Sequence, residues 1–219
     1  AAEEAPAEEV VAEEASVIPI PLKLNLTDTG PLLCGGITVF TPIVEFGINA
    51  NHKVGIIGIG GLGHLAINFY EALGCHVTAF TSSQDKNELI KSMGADEVVS
   101  SIDKLTLKDM GAKFDLLIST VNVSLDWNLF LNTIKPRGRL HFVGAVLEPI
   151  KSSVFSLMTG RRSISGSPVG SPKNIKKMLN FCVQHNIKPI VEHFKFNDIN
   201  NAIDKVRSNE VRFRAVLSW

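Results

Sequence analysis

Residues 53–73 read KVGIIGIGGLGHLAINFYEAL, and this stretch decides the fold. Lys53–Ile59 is a continuous apolar run, as expected of a strand buried on both faces. Leu62–Leu73 reads as a helix, and Gly74 supplies its C-terminal stop. Between them, Gly58-Ile59-Gly60-Gly61-Leu62-Gly63 fits the pattern G-x-G-x-x-G. A strand before and a helix after make that pattern informative. The first glycine permits a tight turn, the second lets backbone approach a pyrophosphate, and the third lets the helix pack close to the strand. The start of the helix then offers free N–H groups and a partial positive charge to those phosphates. The alternative is a glycine turn that holds no ligand.

Working outward, the same alternation continues. His76–Thr81, Glu97–Ser100, Phe114–Ser119, Arg139–Gly144 and Arg162–Gly166 read as further strands. Lys86–Met93, Ser124–Ile134 and Ser171–His185 read as the helices between and after them, with Ser171-Pro172 placed as N-cap and first helical residue. Lys135-Pro136-Arg137-Gly138 reads as the turn that ends the third helix. Strand–helix alternation over residues 53–185 predicts an α/β fold with a parallel, doubly wound sheet. Upstream, Asp28–Phe46 is predicted helical, with Cys34 inside it, a kink at Pro42 and Gly47 near its end. Pro19 and Pro21 keep the preceding VIPIPLKL extended. The last residues differ in character. Ile190–Phe196 and Val211–Leu217 alternate as strands around a helix from Asn197 to Val206.

Composition sets the class. The chain has 219 residues, with 45% apolar and 20% charged residues, as a soluble globular domain requires. The 22 basic and 22 acidic residues cancel, which argues against a nucleic-acid binder by bulk charge. Residues 1–16 hold six of the glutamates in an Ala-Glu-Glu repeat and no basic residue; the remainder carries a formal +6. Such a tail is expected to stay disordered or to fray, as an interaction tail or as a linker remnant. Cys34, Cys75 and Cys182 form neither a disulfide framework nor a C-x-x-C zinc motif, which fits a reducing, cytoplasmic compartment. No apolar run approaches the ~18 residues of a membrane span, so no membrane partner is expected.

Neighbouring phosphate-binding motifs fail on named residues. A P-loop needs Lys then Ser or Thr after its last glycine, and His64-Leu65 stand there. A short-chain dehydrogenase needs a tyrosine with lysine four residues on; the only tyrosine is Tyr70, and Gly74 occupies that place. An NAD site calls for an acid at the end of the second strand to hold the ribose 2′-hydroxyl. Here the chain reads Thr81-Ser82-Ser83-Gln84-Asp85-Lys86. Hydroxyls and a lysine suit a 2′-phosphate, which a carboxylate would repel, so the reading favours NADP over NAD. Asp85 is the residue that would reverse it if the strand ran later. His64 either approaches the pyrophosphate or packs, and the other histidines show no i, i+4 ligand pairing.

PLLCGGITVFTP, GIIGIGGLGHLA, SMGADEVV and VRFRAVL, taken together and in order, resemble the zinc-dependent medium-chain alcohol dehydrogenases, in particular the cinnamyl-alcohol-dehydrogenase-like branch. The resemblance runs over residues 20–219. It implies a Rossmann fold and an NADP(H)-dependent transfer of hydride between nicotinamide and a primary alcohol or aldehyde. Cys34 matches a ligand of the catalytic zinc, and Thr38 a threonine lining the cofactor site. Gly58, Gly60, Gly61, Leu62 and Gly63 match the pyrophosphate turn. Thr81, Ser82, Ser83 and Lys86 match the 2′-phosphate region, and Thr120 a threonine near the adenosine and nicotinamide ribose. Val143, Gly144 and Ala145 match one flank of the nicotinamide, and Ser165, Gly166 and Ser167 the other. Arg212 matches a basic residue of the closing strand.

The departure is upstream. Family members carry an N-terminal catalytic domain that supplies a second zinc-ligating cysteine, a His-Glu pair and a four-cysteine zinc lobe. Residues 1–33 here contain no cysteine and no histidine. Zinc catalysis needs three protein ligands, and one thiolate does not hold the ion. Composition sets an acidic tail at 1–16 and a linker and leading helix at 17–52 apart; the resemblance implies an NADP-binding domain at 53–188 and, at 189–219, a segment that would return to a missing catalytic domain. No catalytic residue is assigned on this chain, and alone it is expected to be inactive. Its expected partners are a small-molecule alcohol or aldehyde and either a second copy or a catalytic domain. A non-catalytic NADP-binding module and a structural subunit that has lost the ligand are the other readings.

Overall fold

The computed structural model describes residues 13–14 and 17–219. The tail expectation for residues 1–16 lies, apart from Glu13 and Glu14, outside the described residues.

Six strands make one parallel sheet: β1 (Lys53–Ile57), β2 (His76–Thr81), β3 (Glu97–Ser100), β4 (Phe114–Ser119), β5 (Ile134–Phe142) and β6 (Ser163–Gly166). Their spatial order is β3-β2-β1-β4-β5-β6, so the chain reverses its winding between β1 and β4. Ligands in open α/β sheets bind outside the carboxyl ends of the strands at such a switch point. This is the doubly wound Rossmann sheet expected from the alternation.

The strands are apolar on both faces because each face has a cover. Side chains alternate across the sheet. Ile56, Leu116 and Ile118 join a core with Ile37, Phe40, Leu65, Phe69 and Met178. Ile57, Leu117 and Phe80 point the other way, into a second core with Phe114, Trp127 and Phe130. The first core is covered by α2 (Ile37–Glu45), α3 (Gly63–Ala72) and α8 (Pro172–His185), following α1 (Leu26–Pro31). The second contains buried residues of α5 (Lys104–Asp109) and α6 (Trp127–Asn132) and packs against α7 (Val154–Gly160); α4 (Asn87–Ser92) lies between β2 and β3. Burying each such large apolar side chain contributes ~1.5–3 kcal/mol.

Local chemistry sets the element ends. Ser171 caps α8 by accepting from the Asn174 N–H, with Pro172 in the first turn. Asp103 caps α5 by accepting from Leu105 and Thr106. Between α1 and α2 the helix widens into a π turn over Leu32–Gly36, which contains Cys34. π turns inside helices concentrate at functional sites.

Three expectations are corrected. Lys135–Gly138 is not a turn: β5 begins at Ile134 and runs through it, with a register shift opposite Phe114 and Leu116 and Arg137 in the left-handed region at φ 67°. This is the signature of a bulge, which absorbs the Pro-Arg-Gly run inside a strand. Helices α5 and α7 were not anticipated. The long leading helix has its π turn at Cys34, for which the expectation had no sign.

The last residues form a separate unit. β7 (Val191–Lys195), α9 (Ile199–Arg207) and β8 (Arg214–Ser218) make a two-stranded parallel sheet with its crossover helix. Among the described residues, no helix is long and apolar enough to cross a membrane.

Candidate functional site

Because β1, β2, β4, β5 and β6 are parallel, their carboxyl ends share one edge. Most of the segments singled out from sequence follow one of those ends. Gly58–Gly63 follows β1, Ser82–Lys86 follows β2, Thr120 follows β4, Val143–Ala145 follows β5, and Gly166-Ser167 close β6. The fold thus gathers along one edge what the sequence scatters over more than 100 residues.

The glycine turn has the shape its residues require. Gly58 sits at φ +90°, where an L side chain is strained, and a Cβ there would run into Val121. A Cβ on Gly63 would run into the Gly58 carbonyl oxygen, so helix α3 packs directly on the turn. Gly60 differs: a Cβ there would meet nothing within 4 Å. The turn is closed underneath and open above, at the N-terminus of a ten-residue helix. That is the cradle a phosphate fills. Thr120 fastens the turn from below, its hydroxyl donating to the Gly58 carbonyl at 2.7 Å and to that of Ile57 at 3.1 Å.

Two cations stand over the opening. A cleft is lined by Gly60, Gly61, Lys86, Asn209, Arg212 and Phe213. Lys86 comes from the segment after β2 and Arg212 from the segment before β8, so two distant parts of the chain line the same cleft. Arg214 was not singled out from sequence. Its Nε donates to the Gly61 carbonyl at 3.0 Å, and its guanidinium extends over Gly35, next to Cys34. Burial draws its pKa below the ordinary arginine value, and the nearby Cys34 opposes that shift. The available signal was only the second arginine two residues after Arg212; the chain is not extended there, since β8 begins at Arg214 and not at Val211 as expected, and Phe213 sits at φ 68°.

Other expected residues are placed as follows. Thr81 is buried, and its hydroxyl accepts from the Ser83 N–H at 3.2 Å, while Ser82 is exposed and Ser83 half-buried. Thr38 is buried and donates to the Cys34 carbonyl at 2.7 Å, within the π turn. Leu62 is half-buried above Gly35. Val143 and Gly144 both donate through their backbones to the Ser119 carbonyl, at 2.9 and 3.0 Å, and Ala145 is exposed. A Cβ on Gly144 would press into the Thr120 backbone, so this strand end also packs against the β1–β4 switch point. Ser165 and Ser167 turn their hydroxyls to the buried His141, at 2.8 Å from Nδ1 and 2.9 Å from Nε2. Burial, aided by Arg139, lowers the His141 pKa to about 4. Gly166, between the two serines, is the exposed residue of the trio.

His64 packs instead of reaching the open cradle. It is fully buried under the turn, and burial lowers its pKa to about 4, with Arg214 adding to the shift against the raising effect of the Gly60 carbonyl. Cys34 is exposed. Among the described residues no three His, Cys, Asp or Glu side chains gather closely enough to hold a metal ion. The residues present thus fit a dinucleotide and do not fit a zinc site; Cys34 alone is one ligand of the three that zinc catalysis requires.

Comparison with known proteins agrees with this geometry. The zinc-binding dehydrogenase family matches residues 61–184. An aldehyde reductase, AdhA, from Synechocystis is 50% identical over 209 residues, covering 95% of this chain and 62% of that protein. A cinnamyl alcohol dehydrogenase from Sorghum bicolor superposes with a TM-score of 0.88 at 32% identity, covering 93% of this chain and 58% of its own. The crystal structure of CAD from Helicobacter pylori complexed with NADP(H) superposes with a TM-score of 0.81 at 29% identity, covering 91% of this chain and 57% of its own. The chain spans about three-fifths of the length of the curated relatives it matches.

Proposed function

The chain belongs to the zinc-binding dehydrogenase family, in its cinnamyl-alcohol-dehydrogenase-like branch, and from that premise we propose that it carries the cofactor half of an NADP(H)-dependent alcohol dehydrogenase or aldehyde reductase. The carrying observation is the convergence of the open Gly60-Gly61 backbone, Lys86 and Arg212 on one cleft at the switch point. Gly60, Gly61 and the α3 N-terminus hold the pyrophosphate, with Arg214 beside them. Lys86 takes the 2′-phosphate, with Ser82 and Ser83 donating hydrogen bonds and no carboxylate at the end of β2 to repel it. Thr120, Val143–Ala145 and Ser165–Ser167, which follow or close neighbouring strand ends, would line the nicotinamide end of the site, with Thr38 among the residues the family resemblance assigns to it. When bound, NADP(H) supplies the hydride acceptor or donor. Oxidation of a primary alcohol then yields the aldehyde, NADPH and one proton.

Zinc enters this reading at the level of the family, with Cys34 as one ligand, and no step is derived through it. The domain reading places the dinucleotide unit at 53–188 and the return segment at 189–219, because β7 and β8 pair with each other and not with the six-stranded sheet.

The test is a fluorescence titration of the purified chain with NADPH and, separately, NADH at fixed salt. The expected result is selective NADPH binding that weakens as salt rises, since charge pairing carries the selectivity. Equal or NADH-favoured binding overturns the 2′-phosphate assignment. No binding of either by a folded chain overturns the dinucleotide reading.

A further inference from the structure

His64 has no idle ring atom. The Gly60 carbonyl is an acceptor only, so Nδ1 carries the proton and donates to it at 3.0 Å. The Ile190 N–H is a donor only, so Nε2 carries the lone pair and accepts from it at 3.3 Å. Two backbone partners, 4 and 126 residues along the chain from the ring, thus select a single neutral tautomer. The face of the ring is occupied too. It stacks on Phe213 with centroids 4.6 Å apart and planes 7° from parallel.

These contacts have a common direction. Ile190 lies one residue before β7, and Phe213 lies one residue before β8. Phe213 is held in the left-handed region at φ 68°, and it is flanked by Arg212 and Arg214. Arg214 lies on the Gly61 carbonyl, and Arg212 lines the cleft above the same turn. One buried imidazole therefore touches the glycine turn, the entrance to β7 and the residue between the two arginines. A leucine of similar bulk would fill the space. It would leave the Ile190 N–H without a partner and take from the Gly60 carbonyl one of its two donors, the backbone N–H of residue 64 at 3.1 Å remaining, and a buried polar group is costly when unpaired.

We propose that His64 is a positioning residue for the dinucleotide, latching the return segment to the glycine turn so that Arg212 and Arg214 are presented to the phosphates as one unit. This rests on the dinucleotide reading above. Its consequence is reciprocal linkage. A dinucleotide that gains from the placed arginines also tightens the return segment, and a return segment released from the turn weakens the dinucleotide by the same factor.

The experiment is a double-mutant cycle on NADPH affinity in the full chain, using His64→Leu, Arg214→Ala and the pair. His64→Leu is expected to weaken NADPH by about tenfold, or ~1.4 kcal/mol. The pair is expected to bind little worse than the weaker-binding single variant, because His64→Leu already withdraws the placed guanidinium that Arg214→Ala removes. Hydrogen exchange in peptides covering 188–195 and 209–216 is expected to quicken in His64→Leu and to slow when NADPH binds the wild type. His64→Gln, whose amide carries both a donor and an acceptor, is expected to recover part of the affinity. If His64→Leu does not fold by circular dichroism, the cycle is run with His64→Gln. Fully additive losses overturn the latch, as does wild-type affinity in His64→Leu. A loss of affinity with unchanged exchange in both peptides overturns it also. A folded wild type that binds neither NADPH nor NADH overturns the dinucleotide reading itself, an outcome distinct from a wild type that binds while the cycle is additive.

Discussion

The six-stranded body and the β7–α9–β8 segment are both made of parallel strands joined by helices, yet they differ in what covers them. In the body, β1, β2 and β4 are buried almost throughout, with a core on each face. In the return segment no strand residue is fully buried. Ala202 is the buried residue of α9, while Ile203 and Val206 are 41% and 50% exposed. The body supplies its own apolar partners, and the segment supplies half of a core. Contacts that tie the segment to the body include His64 with Ile190 and Phe213 and Arg214 with Gly61 at its strand entrances, and His193, midway along β7, with Asp28 at 2.9 Å. The site lies where the self-sufficient unit meets the dependent one.

The largest contrast is expected from deleting an aromatic ring in each region. Phe114 is fully buried and packs edge-on to Phe80 at 5.6 Å. Phe114→Ala is expected to cost about 3–5 kcal/mol. Trp219 stacks on Phe196 at 3.9 Å but is 99% exposed, so Trp219→Ala is expected to cost about 1 kcal/mol at most. Urea denaturation measures both, and comparable losses would break the distinction drawn here.

The next contrast lies inside the glycine turn. Gly63→Ala drives a methyl group into the Gly58 carbonyl, and neither backbone segment has room to retreat, so a loss of about 3 kcal/mol or more is expected. Gly60→Ala meets no atom within 4 Å, so stability is expected to hold within about 0.5 kcal/mol. Its methyl stands in the cradle, and NADPH is expected to weaken about tenfold or more. Paired denaturation and binding curves separate a glycine needed for packing from a glycine needed for a ligand.

How much of this was legible follows from the same contrast. The bounds of β2, β3 and β4 agree with those read from sequence: β2 and β4 are apolar-rich strands buried almost throughout, and β3, a half-buried edge strand, follows the helix stop at Gly94. Helix α5 buries only Leu107, and α7 leaves Val154, Phe155 and Met158 exposed, so neither writes a clear periodic stripe. The bulge in β5 hid behind Pro136-Arg137-Gly138, residues that ordinarily mark a turn. In the site, the glycines and Lys86 were readable because their chemistry is local. The partners of His64 and the place of Arg214 were not, since both depend on contacts 126 and 153 residues away.

A smaller effect per event comes from pH. His64 joins body to segment and His141 sits within the body; both are neutral in the fold, with pKa values lowered from 6.5 to about 4. The unfolded chain therefore binds more protons between those values, and stability rises with pH across that window. Each histidine contributes fully above pH 6.5, and its contribution falls by at most about 1.4 kcal/mol per pH unit down to about pH 4. Denaturation midpoints at pH 7, 6 and 5 check the sign. Hydrogen exchange at pH 5 localises the loss: the 188–195 peptide is expected to open with His64, and peptides of β5 and β6 with His141.

The smallest effect on stability is expected where the segment is least covered. Ile199, Ala202, Ile203, Val206, Ala215 and Leu217 line an apolar cleft between α9 and β8. Such a face lowers its free energy by meeting another apolar surface, and at high concentration a second chain provides one. Self-association that grows with concentration is therefore expected in light scattering. Ile203→Lys places a charge on the cleft at a position already 41% exposed, so folding should change by no more than about 0.5 kcal/mol while association falls. The open edge of β6, beside the exposed Val154, Phe155 and Met158, is the competing surface. Phe155→Lys reports on it in the same assay. Association reduced by Ile203→Lys alone assigns the stickiness to the half-built core of the segment. Reduction by Phe155→Lys alone assigns it to the sheet edge of the body. A monomer at high concentration would mean that the segment covers its own apolar face better than its exposure implies.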